Sequence, residues 1–192
     1  FLTFGTAWVY RHIQQDTTVA NCHKIPQNQF NKELLDLEEL KQLYLTLFED
    51  LRAKNPQLEI ILTVSPVRHV KNGLHENNLS KSILLLLSDF LVNKFNFVHY
   101  FPAYEIVMDD LRDYRFFNAD LIHPNEQAID YVFDRFAGTY FSDKTAEISM
   151  LAQKLILLKS HLSLAPSRLQ MEQSKNKIQN LEAKIDQLKS EL

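Results

Sequence analysis

The most constraining feature of this 192-residue sequence is the apolar run at residues 58–64, Leu-Glu-Ile-Ile-Leu-Thr-Val. It is nearly continuous in apolar and β-branched residues, which is typical of a central strand buried on both faces. Such a strand requires helices on both sides of its sheet. The run therefore predicts an α/β domain with a mostly parallel sheet.

Helical patterns alternate with this strand and with three other β-like runs. The first helix has the clearest limits, because Asp36 and Glu39 resemble a capping box and Asn55-Pro56 ends the apolar periodicity. This alternation supports the α/β prediction. The other predicted elements are strands at 1–4, 18–20 and 97–101, a helix over about 79–95 and a helix that opens at Pro124.

Composition excludes several classes of function. The hydrophobic content of 45% and charged content of 23% are those of a soluble globular protein. Net charge is -3 with no basic block, so nucleic acid is not expected as a partner. The densest apolar run, 83–87, is too short to span a membrane. Cys22 is the single cysteine, which excludes an internal disulfide framework. It fits a reducing, cytoplasmic location and is also compatible with the periplasm.

The chain changes character after Ser142. Met171, Ile178, Ile185 and Leu192 recur every seven residues, with charged residues on the other faces. We expect a helical tail over 143–192. Its heptad seam is compatible with a helix folded back on its own domain and with a coiled coil that forms a homodimer through residues 167–192.

The sharpest chemical signal is Asp120-Leu-Ile-His123-Pro124. A carboxylate three residues before a histidine can accept one imidazole N–H and fix the tautomer in which the other nitrogen takes a proton. Pro124 suits the first turn of a helix, where its missing N–H is no loss. The alternative is a purely structural role, in which these residues form a capped helix start with a partly buried histidine.

Other polar residues follow the predicted strands. Ser65, Arg68 and His69 come directly after the central strand, where open α/β sheets place ligand-binding loops. Arg68 is suited to hold a carboxylate or phosphate, or alternatively to pair with an acidic residue of its own loop. Ser65 is a poor nucleophile candidate, because Pro66 follows it and no glycines flank it. Tyr104 is the aromatic residue most expected in a cleft.

Seven motifs in this order resemble the GSCFA family, which is named for a Gly-Ser-Cys-Phe-Ala motif near its N-terminus. The resemblance covers residues 1 to about 141. The motifs are Gly5-Thr6, Asn21-Cys22-His23-Lys24, Ser65-Pro66-Val67-Arg68-His69, Ser80-Lys81, Phe101-Pro102, Asp110-Leu111-Arg112-Asp113 and Asp120-Leu121-Ile122-His123-Pro124.

The resemblance implies an SGNH-like (GDSL-type) hydrolase, with a three-layer α/β sandwich of the flavodoxin-like kind. On that basis residues 1–141 are the C-terminal part of the domain, His123 is the general base and Asp120 orients it. The nucleophile would be the serine of the name motif, and this sequence has no such segment. We therefore expect an acyl-ester hydrolase or acyltransferase in the full-length protein, and an inactive chain on its own.

The resemblance also suggests oxyanion and substrate contacts. Gly5 occupies the position of the family's oxyanion glycine, and Asn21 is the candidate amide donor because Ala7 stands where relatives carry asparagine. Asn21 is equally compatible with a turn. The substrate-contacting candidates are His23, Lys24, Ser65, Arg68, His69 and Tyr104.

No cofactor or metal is expected. Cys22, His23, His69 and His123 include possible zinc ligands, but no pair has the spacing that zinc sites use. The expected substrate is a small-molecule or glycan acyl ester. The alternative function is a non-catalytic binding or assembly module with a degenerate hydrolase fold and a self-associating tail.

Overall fold

The structure, a computed structural model, describes residues 1–19, 24–162 and 168–191. The described residues form a mixed α/β architecture with six strands and six α-helices, in two compact units, Phe1–Val132 and Phe133–Leu192. The strands are β1 (Leu2–Phe4), β2 (Trp8–His12), β3 (Thr17–Val19), β4 (Phe30–Leu34), β5 (Ile60–Val64) and β6 (Val98–Tyr100). The helices are α1 (Leu37–Lys54), α2 (Leu74–Lys94), α3 (Ala103–Glu105), α4 (Glu126–Tyr140), α5 (Asp143–Leu162) and α6 (Arg168–Ser190).

The predicted central strand is confirmed. β5 lies between β1 and β6 in a three-stranded parallel sheet, with Phe4 opposite Val64. Leu62 and Val64 are fully buried in one core cluster with Phe48 of α1 and Leu87 of α2. Because parallel strands end at the same edge, the loops after β1 and β5 emerge side by side.

A second sheet was not predicted. β2 pairs antiparallel with β3 on one side and with β4 on the other. The run at 18–20 was predicted as a further strand, and β3 belongs to this antiparallel sheet rather than to the parallel one. Only His12 of β2 is buried, and Arg11 pairs with Glu33 of β4 at 3.1 Å. The strands are thus half-polar, so their apolar pattern is weak.

The helix limits agree with the sequence at α1 and differ at α2. Asp36 caps α1 by accepting hydrogen bonds from the N–H groups of Glu38 and Glu39, at 2.8 and 3.3 Å. α2 begins at Leu74 rather than near 79, directly after Gly73, which has a φ of 93° that favours glycine. The added turn carries Asn77 beneath the loops of the parallel sheet.

In the second unit, α5 and α6 pack against each other. Ile178 and Ile185 of the heptad seam are buried, and Glu147–Lys184 and Lys159–Glu182 form ion pairs between the two helices. Lys144 of α5 also pairs with Glu191, which directly follows α6. The seam is therefore at least partly covered within one chain. Self-association through residues 167–192 stays a prediction.

Among the described residues, none of the helices combines the length and the apolar character that crossing a membrane requires.

Candidate functional site

Asp120 and His123 are joined by a hydrogen bond in a tight turn. The Nδ1 atom of His123 lies 2.6 Å from Oδ2 of Asp120, while Oδ1 of Asp120 accepts the backbone N–H groups of Ile122 and His123 at 2.9 and 3.0 Å. These hydrogen bonds, the side-chain one first, lower the pKa of Asp120 to about 2. Leu121 has a φ of 57°, a left-handed conformation that a non-glycine residue rarely adopts.

This turn leaves one imidazole nitrogen of His123 available. Because the Asp120 carboxylate only accepts, Nδ1 carries the hydrogen in the neutral imidazole, and Nε2 then has the lone pair. The side chain is 57% exposed, and no other described residue forms a hydrogen bond with Nε2. The ring is therefore more exposed than the alternative of a partly buried histidine at a capped helix start assumes. The arrangement can take a proton at Nε2 while Asp120 stabilises the resulting imidazolium.

Backbone pairing anchors the turn to the segment before it. Phe117 and Pro124 form an isolated antiparallel bridge, and the Asn118 N–H donates to the carbonyl of His123 at 2.8 Å. Asn125, rather than Pro124, caps α4, because its Oδ1 accepts the N–H of Ala128 at 3.1 Å. The helix therefore begins later than the sequence pattern predicts, and Pro124 serves the bridge.

Arg68 connects the loop after β5 with this anchored segment. Its guanidinium lies 4.9 Å from the ring centroid of Phe117 and 5.7 Å from that of Tyr114. Phe117 is bridged to Pro124, the chain neighbour of His123, so Arg68 lies against the segment that pairs with the Asp120–His123 turn. No described contact joins Arg68 to Asp120 or His123 themselves.

Two adjoining cavities flank Arg68 and share it with Met108 and Tyr114. One, of about 220 Å³, is also lined by Val107, Leu111, Arg112, Asp113 and Phe117. The other, of about 380 Å³, is also lined by Leu74, Asn77, Asn78 and Tyr104. Tyr104 therefore lies in a cleft, where burial raises the pKa of its phenol.

Lys81 of α2 fixes the loops after β1 and β5. Its ammonium, on a side chain only 1% exposed, donates to the carbonyls of Gly5 at 2.7 Å and Ser65 at 2.6 Å. These residues each lie one position beyond the paired Phe4 and Val64. Burial lowers the pKa of Lys81 to about 8, so the ammonium is charged at neutral pH.

His69 lies beside Gly5. A Cβ added at Gly5 would be 3.9 Å from Nε2 of His69, an ordinary contact that requires no movement. The backbone N–H of His69 donates to Oδ1 of Asn77 at 2.9 Å. Burial and the charge of Lys81 lower the pKa of His69, so this imidazole is neutral at pH 7. Ser65 uses its hydroxyl locally, accepting the N–H of Val67 at 3.2 Å.

The remaining predicted site residues are not brought to this cluster by any described contact. Asn21 and His23, with Cys22, lie outside the described residues. Lys24 is exposed and has a φ of 68°, and no hydrogen bond or ion pair links it to another described residue. Within the described ranges, no group of three or more His, Cys, Asp or Glu side chains has metal-binding geometry.

Lys81, Ser80 and Asn77 have no predicted role, although Ser80-Lys81 is one of the family motifs. All three are buried polar residues on the face of α2 that carries Leu84 and Leu91 farther along. The available signal was helical spacing, because Ser80 and Lys81 precede Leu84 by four and three residues, and Asn77 precedes Ser80 and Lys81 by three and four. This spacing puts polar groups on a core-facing stripe. Such groups need buried partners, and here the partners are the loops after β1 and β5.

Comparison with known proteins gives one match. The model of the GSCFA family matches residues 1–136. Searches of curated proteins and of solved structures find no match. The family match covers well over half of the 192 residues and takes in the loops after β1 and β5 together with the Asp120–His123 turn. The chain therefore belongs to the GSCFA family.

Proposed function

We propose that this chain carries the base half of an SGNH-like serine hydrolase site that acts on acyl esters, as an esterase or an acyltransferase. The observation that supports this most directly is the 2.6 Å hydrogen bond between His123 Nδ1 and Asp120 Oδ2, on an exposed side chain whose Nε2 has no hydrogen bond to another described residue. A small-molecule or glycan acyl ester is the proposed substrate. No cofactor is part of the proposal.

In the proposed reaction, Nε2 of His123 removes the proton of a serine hydroxyl as its oxygen attacks the ester carbonyl. The proton then passes to the leaving alkoxide, and water or another hydroxyl releases the acyl group in a second cycle. The serine is proposed to belong to a Gly-Ser-Cys-Phe-Ala segment that these 192 residues do not include. The chain alone is then inactive.

Gly5 and Asn21 are proposed to serve the oxyanion, and His23, Lys24, Ser65, Arg68, His69 and Tyr104 to contact substrate. The position of Gly5 beside the neutral His69, over the buried Lys81, supports a polar and ordered loop there. Donors fixed in advance stabilise developing negative charge without reorganisation.

The proposed architecture is a three-layer α/β sandwich over 1–141, followed by a helical tail over 143–192. The parallel order β1-β5-β6, with both site loops at the carboxyl edge, supports this arrangement.

The test is ester hydrolysis by the full-length protein with His123→Ala. We expect turnover to fall by about 10²–10⁴-fold, the range for loss of a general base. The matched control is His99→Ala, which removes another exposed histidine–carboxylate pair, His99 Nε2 with Glu59 at 2.8 Å. Equal activity of the two variants contradicts the role of His123.

A second candidate function is a non-catalytic assembly module. Met150, Ile156 and Leu157 of α5 are each more than half exposed, and such a group of exposed apolar side chains supports contact with a second copy of the chain. Light scattering should then give a dimer mass for the wild type and a monomer mass for Leu157→Glu, with Lys154→Glu as control. A monomeric wild type removes this candidate.

A further inference from the structure

Arg68 lines both cavities, and it has no acidic partner among the described residues. The ion pairs described in the first unit all use other cations. The contacts of the guanidinium are instead the faces of Tyr114 and Phe117. The aromatic rings contact the flat face of the guanidinium, so the N–H groups at the edge of the guanidinium can donate to another acceptor.

The two cavities beside Arg68 differ in whether an acidic side chain lines them. The smaller one is lined by Arg112 and by Asp113, whose carboxylate lies 4.0 Å from the guanidinium of Arg115. The larger one, of about 380 Å³, has no acidic side chain, and its polar groups are Arg68, Asn77, Asn78 and the phenols of Tyr104 and Tyr114. The side-chain oxygen of Asn77 already accepts a hydrogen bond from the backbone N–H of His69. An anion in the larger cavity therefore meets one positive charge and neutral donors only.

We propose that the larger cavity binds an anionic group, a carboxylate or a phosphate, of the acyl-ester substrate, with Arg68 as its main contact. This inference rests on the proposed function, because it assigns the substrate class to the same site.

The chemistry of the lining favours an anion over a neutral group. A guanidinium edge matches the two oxygens of a carboxylate or phosphate with parallel hydrogen bonds. Tyr104 stays protonated because burial raises the pKa of its phenol, so it can donate as well. Arg68 also contacts Phe117, which is bridged to Pro124 beside His123. An anionic group at Arg68 would thus lie against the segment that pairs with Pro124, although Asp120 and His123 themselves do not line the larger cavity.

The test is calorimetric titration of the full chain at constant ionic strength. The probes are monomethyl glutarate, which has a carboxylate and an ester, inorganic phosphate, and dimethyl glutarate as the neutral isostere. We expect one or both anions to bind at least about tenfold more tightly than dimethyl glutarate, the scale of a charge-assisted hydrogen bond. Tighter binding of monomethyl glutarate or of phosphate identifies the anionic group as carboxylate or phosphate.

Three variants assign the effect to Arg68. Arg68→Gln should lose at least about tenfold in anion affinity. Arg68→Lys, which keeps the charge and lacks the fork, should show a smaller loss. The control Arg112→Gln removes an exposed arginine of the smaller cavity, paired with Asp109, and should stay within about twofold. If Arg68→Gln fails to fold, as judged by circular dichroism, Arg68→Lys carries the comparison.

Equal binding of dimethyl glutarate, no binding of either anion, or equal losses in the Arg68 and Arg112 variants overturns the proposal. Failure of the anion-binding proposal can be distinguished from failure of the proposed hydrolase function. Unchanged ester turnover in His123→Ala together with Arg68-dependent anion binding refutes the hydrolase and leaves the anion site.

Discussion

The ammonium of Lys81 and the carbonyl oxygen of Gly5, 76 residues apart in sequence, form a 2.7 Å hydrogen bond in the interior of the first unit. A second bond, to the carbonyl of Ser65, joins the ends of two neighbouring parallel strands through one cation. The position of the oxyanion candidate thus depends on a buried charge that the proposed chemistry does not use.

This charge predicts a specific pH dependence of stability. Burial lowers the folded-state pKa of Lys81 to about 8, from 10.5 in the exposed state. Between these values the unfolded chain holds a proton that the folded chain has lost, so the free energy of unfolding rises with pH. We therefore compare the free energy of unfolding in urea for the wild type and Lys81→Met. Between pH 8 and 10.5 the value for the wild type should rise by up to about 3 kcal/mol more than that of the variant.

Parallel pH profiles of the wild type and Lys81→Met would contradict this prediction. NMR titration of the Lys81 side chain in the wild-type protein is an independent measurement that does not depend on the variant folding, and it should give a midpoint near 8.

Ser80 should matter for stability because its hydroxyl accepts the N–H of Ala7 at 2.7 Å in a buried contact. Ser80→Ala leaves that donor without a partner and should cost about 1–3 kcal/mol of unfolding free energy. Ser82→Ala, on the exposed side of the same helix, removes only a hydrogen bond to Asn78 and should change stability by less than about 0.5 kcal/mol. Equal losses would show that Ser80 does not hold the loop.

Thr63 offers a stabilising substitution. Its hydroxyl is buried and has no hydrogen-bond partner among the described residues. Thr63→Val keeps the shape and removes the unsatisfied group, so thermal or urea unfolding should show a gain of about 1 kcal/mol. Thr3→Val at the paired position of β1, which is exposed, should be close to neutral. A loss of stability in Thr63→Val would indicate that the hydroxyl has a partner.

Asp120 should titrate at unusually low pH. Its folded-state pKa of about 2 lies below the ordinary 3.8, chiefly because His123 donates to it. The stabilisation is therefore complete above pH 3.8 and is lost as pH falls through about 2. Carboxyl-carbon NMR should show this midpoint in the wild type and a higher one in His123→Ala. The midpoint of the variant should stay below 3.8, because the backbone donors of Ile122 and His123 remain.

The features that could be predicted from the sequence are those formed by residues close together in the chain. The β5 run is apolar along its whole length, and the Asp36 cap and the Asp120–His123 pair each join residues at most three positions apart. Such contacts depend mainly on side-chain type and spacing, so a local sequence pattern is enough to predict them. The β2–β4 pairing is different, because half-polar strands gain their partners from the surrounding packing and carry a weak pattern.

The chain's residue order by itself determined a parallel α/β core and a carboxylate–histidine turn. Only the tertiary structure decided that Lys81 lies under Gly5 and Ser65, and that Arg68 stacks on Phe117 with no acidic partner among the described residues. The physical reason is that these contacts join segments far apart in the chain. Their existence depends on how α2 and the loops pack on the sheet, and that packing is not encoded in any short window of sequence.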